Sequence, residues 1–115
     1  MLVKLSYTLG ISLSILVLVS CAKKTESIIE NNIYTDKFTI ADNQIGELIS
    51  SLESANISNS VKQEILCSRL PDVYKNRYMP ALLKLSPHVY TEDKLLKDLE
   101  STSNFYKKTL AIECR

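Results

Sequence analysis

The apolar and polar positions divide the chain into an unbroken apolar run, a polar stretch and a series of amphipathic segments. Leu5 to Val19 is the apolar run, diluted only by Ser6, Thr8, Ser12 and Ser14 among its larger side chains. Residues 22–41 are mostly polar, opening Ala22-Lys23-Lys24-Thr25-Glu26-Ser27. Asn31-Asn32 interrupts any helix begun at Ile28-Ile29, because asparagine competes for backbone hydrogen bonds. Phe38-Thr39-Ile40 alternates with period two. The segment 22–41 therefore reads as an extended tether whose Phe38 and Ile40 pack onto the domain that follows.

From Asp42 onward the period becomes helical. Ile45, Leu48, Ile49 and Leu52 recur at i, i+3, i+4 and i+7, which predicts a helix from Asp42 to about Ala55. Asn56 to Asn59 breaks it. Ser60 with Gln63 has the spacing of a capping box and opens a second helix to about Leu70. Val61, Ile65, Leu66, Cys67 and Leu70 cover a wide arc of that helix, which predicts burial on more than one side. Pro71 disfavours a helical Leu70 and suits the first turn of a third helix, Asp72 to Leu85. The stripe of that helix is Tyr74, Tyr78, Ala81, Leu82 and Leu85, with a kink or restart near Met79 forced by Pro80. Thr91 caps a fourth helix reaching about Ile112, and Glu92 and Asp93 complement its dipole. Leu95, Leu96, Leu99, Ser103, Tyr106 and Leu110 line one of its sides. Four amphipathic helices without a strand partner predict an all-α fold, a small four-helix bundle over residues 42–115.

Composition narrows the chemistry. A chain of 115 residues has room for one domain with a modest core. It has two glycines, Gly10 and Gly46. Phosphate-cradling loops, dinucleotide fingerprints and nucleophile elbows all need more glycines than that. The single histidine, His88, follows Pro87 and has no second ligand or nucleophile in sequence reach, so it reads as a turn residue. Glu92, Asp93, Asp98 and Glu100 alternate with Lys94 and Lys97, the pattern of a solvated helix face and not of a calcium loop. No metal or cofactor is expected.

Leu18-Val19-Ser20-Cys21 closes the apolar run. About 15 apolar residues behind Lys4 match a signal-peptide core. An uncleaved anchor helix would need roughly 20. With leucine three residues before the cysteine and serine just before it, the stretch resembles the lipobox of bacterial lipoproteins. The resemblance covers residues 1–21 only. It implies cleavage before Cys21, a diacylglycerol thioether on its sulfur and acylation of its amino group. Several acyl chains hold a protein on a bilayer durably, whereas one holds marginally. The family's sorting rule reads Ala22, in place of aspartate, as favouring the outer membrane. The expected organisation is a signal peptide over 1–20, a lipid-anchored tether over 21–41, and a helical domain facing the periplasm. Lys4 leaves with the signal, so 13 basic side chains balance the 13 acidic ones. Without a basic excess, nucleic acid is not an expected partner.

Export accounts for the cysteines. Cys21 is consumed by lipid, leaving Cys67 and Cys114 as an even pair in an oxidising compartment, which reads as a disulfide. Closing 47 residues of chain removes denatured-state entropy worth roughly 4 kcal/mol.

Tyr74, Arg77, Tyr78 and Met79 form the most interface-like stretch, since tyrosine and arginine combine contact area with directed hydrogen bonds. The plainer reading of the tyrosines is core residues with solvated hydroxyls. Phe105 and Leu83 fall off their helices' main stripes. No nucleophile–base pair or metal cluster is visible, which places an enzyme last. The expectation is non-enzymatic binding of an envelope or periplasmic protein, of accessory, adaptor or inhibitor and immunity type. A structural envelope lipoprotein is the alternative, and no long heptad supports it.

Overall fold

In the computed structural model, which describes the backbone from residue 2 and the side chains from residue 27, the chain forms three helical stretches and, among the described residues, no strand. The first helix is Leu2–Glu53. The middle one runs without a break over residues 59–85, and the last is Glu92–Leu110. The chain falls into two compact units, Met1–Ile33 and Tyr34–Arg115. Among the described residues no helix is long and apolar enough to cross a membrane. The side chains around the expected cleavage site, that of Cys21 among them, lie outside the described residues.

The all-α class and the disulfide hold, while the extended tether does not: residues 22–41 are helical. Two physical reasons account for this. No glycine or proline occurs between Ala22 and Ile45, and an interior asparagine costs a helix less than about 1 kcal/mol. The apolar face also starts earlier than Ile45. Tyr34, Phe38, Ala41, Ile45, Leu48 and Leu52 form one stripe spaced by fours and threes, and every member is buried or half-buried. Phe38 faces inward while Ile40 stays 59 % exposed, so the apparent alternation at 38–40 is a helix sampled over three positions. Asp42, expected as a cap, lies mid-helix. Hydroxyls along this helix are absorbed locally, Thr39 donating to the carbonyl of Thr35 (2.9 Å) and Ser51 to that of Glu47 (3.0 Å).

The second expected boundary moves too. Ser58, not Ser60, caps the middle helix: its hydroxyl accepts from the amide of Val61 at 3.4 Å. Gln63 reaches away from the helix start, donating to the carbonyl of Glu113 (3.1 Å).

Pro71 does not split the middle helix. Two π-turns, Ile65–Arg69 and Tyr74–Tyr78, carry it past both prolines. In each, the amide of the residue just before the proline bonds five residues back, Leu70 to Ile65 and Met79 to Tyr74. A proline ring clashes with the carbonyl four residues behind it. Those carbonyls belong to Cys67 and Asn76, and each lies inside a widened turn, which moves it aside. The helix resumes at Met79, as the position of Pro80 predicts. The expected second and third helices are therefore one, and the helical count is three.

The last helix follows its pattern. The Thr91 hydroxyl accepts from the amide of Lys94 (3.3 Å), and Leu95, Leu99, Ser103 and Tyr106 are buried. It stops at Leu110, two residues before the expected end. Ala111 turns left-handed (φ 53°, ψ 46°), and the amide of Ile112 reaches back to the carbonyl of Lys107 at 3.0 Å. This is a Schellman-type closure, completed by Ile112 burying beside Tyr106.

Unit 34–115 has two apolar clusters. One joins Leu48, Leu52, Ile65, Leu66, Leu70, Tyr106 and Ile112. The other centres on Met79, Leu82 and Leu95, with Phe38, Tyr74 and Tyr78 against it. The Cys67–Cys114 disulfide ties the first cluster to the chain's end, with Cα atoms 5.4 Å apart. Cys114 lies exposed on the non-helical tail.

Candidate binding groove

The π-turn at Tyr74–Tyr78 separates the four residues expected to act together. Met79 is 5 % exposed and belongs to the core. Tyr74 and Tyr78 stack at 5.0 Å between ring centres, and Tyr78 meets Phe38 at 5.3 Å. The Tyr74 hydroxyl donates to the carbonyl of Leu95 (2.9 Å), tying the middle helix to the last. Burial, reinforced by the neighbouring phenol of Tyr78 and the carboxylate of Asp98, pushes Tyr74 up to about 12. Tyr78 is also raised, first by burial and then by Asp42, Tyr90 and Asp98. Neutral, packed phenols of this kind are framework. Both tyrosines are half-buried against the second cluster, and the Tyr74 hydroxyl has a protein partner.

Arg77 alone points outward, and it borders a groove of about 360 Å³. One wall comes from the first helix, through Tyr34, Lys37, Ile40 and Ala41. The other comes from the middle helix, through Asn76, Arg77, Pro80 and Ala81. Ala41 and Ala81 are 1 % and 2 % exposed and form the small, buried bottom of the groove. Ile40 and Pro80 are exposed above them, giving an apolar floor and lip.

The rim is cationic. Arg77 Nη1 donates to Gln44 Oε1 (3.1 Å), which fixes the guanidinium and leaves its other donors facing solvent. The ammonium of Lys37 lies 5.4 Å from the centre of the Tyr34 ring, and that of Lys84 lies 5.9 Å from the same ring. None of the lining residues is acidic. The carboxylate of Asp72, one turn before Asn76, accepts from Asn76 Nδ2 at 2.7 Å.

A larger depression of about 810 Å³ borders the C-terminal tail, with Gln63, Lys107, Lys108 and Arg115 on its walls. Glu113 offsets its cations, Lys107 and Lys108 complement the helix dipole, and the Gln63–Glu113 hydrogen bond crosses it. It is better explained as the seam where the tail docks.

Neither a protein-family model, nor a curated protein, nor a solved structure matches this chain. The groove must therefore be judged on its own geometry. His88 is exposed in the turn after Ser86, whose carbonyl accepts from the amides of Val89 and Tyr90. Among the described residues no group of three His, Cys, Asp or Glu side chains is placed to hold a metal. Phe105 is 60 % exposed, edge-on to Tyr106, while Leu83 packs against the second cluster. Of the groove's residues, only Arg77 was expected from the sequence to bind a partner. Tyr34, Lys37 and Ile40 were missed because their segment read as extended. The missed signal was the helical stripe running upstream from Ile45 to Tyr34.

Proposed function

We propose that this chain is a lipid-anchored protein of the bacterial envelope that acts by binding another protein, without catalysis. In this reading Cys21 carries the lipid, the mature chain faces the periplasm from the outer membrane, and Cys67–Cys114 is the oxidised staple of an exported domain. The observation that carries the binding role is the groove: apolar side chains held between cations, with no acidic residue in its lining. Such a surface combines desolvated contact with directed charge, the two ingredients of a protein-binding hot spot. An inhibitor, immunity or adaptor role fits a small exported domain of this kind.

The test is site-specific photo-crosslinking in intact envelopes. A crosslinker at position 40 or 77 is expected to join one and the same protein. At Ser101, exposed on the last helix and outside the groove, it is expected to join none. Equal capture from all three positions, or none from the groove, would remove this reading.

A further inference from the structure

Two contacts fix the direction in which the groove's charges are laid out. Tyr34 meets Lys84 at one end, and Gln44 holds Arg77 at the other. The two helices therefore run antiparallel along the groove. Tyr34 and Gln44 are ten residues apart on the first helix, and Lys84 and Arg77 seven on the middle one, which at 1.5 Å per residue spaces the two cationic ends by roughly 10 to 15 Å. Lys37 and Lys84 make one end and Arg77 the other, with Ile40 and Pro80 exposed between them.

Resting on the protein-binding reading above, we infer that the groove takes an extended acidic segment of the partner, with two carboxylates flanking one apolar side chain. Extended chain rises about 3.3 Å per residue, so carboxylates four residues apart span roughly 13 Å and reach both ends. The planar guanidinium of Arg77 matches a carboxylate bidentately, and the lysines supply point charge at the far end. The middle side chain lies over Ile40 and Pro80. Complementarity of the charged and apolar pattern favours this occupant over the membrane surface. A bilayer surface could set phosphates at both ends, but it offers no single side chain between them to lie in the groove over Ile40 and Pro80.

The experiment is an NMR titration of the full chain in detergent micelles with the blocked pentapeptide Glu-Ala-Leu-Ala-Glu. Shifts are expected at Lys37, Ile40, Arg77 and Ala81. Replacing both glutamates by glutamine, or placing them side by side, is expected to weaken binding at least tenfold. Arg77→Gln and Lys84→Gln, both at exposed positions, are each expected to weaken it several-fold while leaving the circular dichroism unchanged. Failure of the peptide to bind, equal binding of the glutamine peptide, or undiminished binding to both variants overturns the inference. So does an outcome in which phosphatidylglycerol vesicles move these resonances and the peptide does not. If the peptide fails while crosslinking at 40 and 77 still finds one protein, only the acidic segment is wrong. If crosslinking fails as well, the binding reading falls with it.

Discussion

Tyr106 donates a 2.7 Å hydrogen bond to Oε1 of Glu53, the last residue of the first helix. This bond joins the first and last helices beside the cluster that Leu48, Leu52, Tyr106 and Ile112 share. Burial first, then the hydrogen bond and charge of Glu53, push the Tyr106 phenol up to about 12. Tyr106→Phe is expected to lower stability at neutral pH by about 1.5 kcal/mol, the net worth of a hydrogen bond to a charged acceptor, measured by urea unfolding. An unchanged midpoint would mean that the bond contributes nothing.

The same tyrosines set an alkaline limit. In the unfolded chain Tyr74 and Tyr106 ionise near 10, and in the folded chain at about 12. Between these values the unfolded state has lost protons that the folded state keeps, so stability falls as pH rises through the window. It is fully present below pH 10. Unfolding free energy measured from pH 9 to 12 is expected to decline, and Tyr106→Phe to make that decline shallower by about one proton.

Tyr78 and Arg77 are neighbours with opposite fates. Tyr78→Ala removes a ring packed on Phe38 and Tyr74 and is expected to cost about 3 kcal/mol. Arg77→Ala is expected to change stability by no more than about 0.5 kcal/mol, because only an exposed hydrogen bond is lost. Equal losses in thermal or urea unfolding would place Arg77 in the framework and not in a binding surface.

Glycine is misplaced in two opposite senses. Gly46 sits exposed inside the first helix, and an added Cβ there meets nothing within 4 Å, so Gly46→Ala should stabilise by about 1 kcal/mol. Ala111 holds the left-handed closure of the last helix, where a side chain is strained, so Ala111→Gly should also stabilise, by about 1 kcal/mol. Urea midpoints that move downward would contradict either assignment.

Breaking the disulfide is expected to cost about 4 kcal/mol, as the 47-residue closure implies. Comparing oxidised and reduced protein in urea, with the Cys67→Ser, Cys114→Ser double variant as control, measures it. Coincident curves would show that burial of Ile112 and the Gln63–Glu113 hydrogen bond hold the tail without it.

What the sequence could reveal depended on whether local signals agreed. The last helix was legible because Thr91, the acidic first turn and the Leu95–Leu99–Ser103–Tyr106 stripe all point the same way. The disulfide was legible from parity once Cys21 was set aside. Residues 22–41 were not, because Asn31-Asn32 and the 38–40 alternation speak locally against a helix that the long stripe from Tyr34 to Leu52 supports. Pro71 misled for a related reason: a π-turn accommodates the proline ring at little local cost, and nothing in the surrounding residues announces it. The groove was hidden by the same error, since it exists only when residues 34–41 are helical and lie along 76–81.

The proposed lipid anchor and compartment rest on Cys21. The decisive experiment is the intact mass of the protein isolated from membranes. A chain beginning at Cys21 that carries a diacylglycerol group and an acylated amino terminus is expected. A chain that retains residues 1–20, or one that begins elsewhere without lipid, would contradict the anchor.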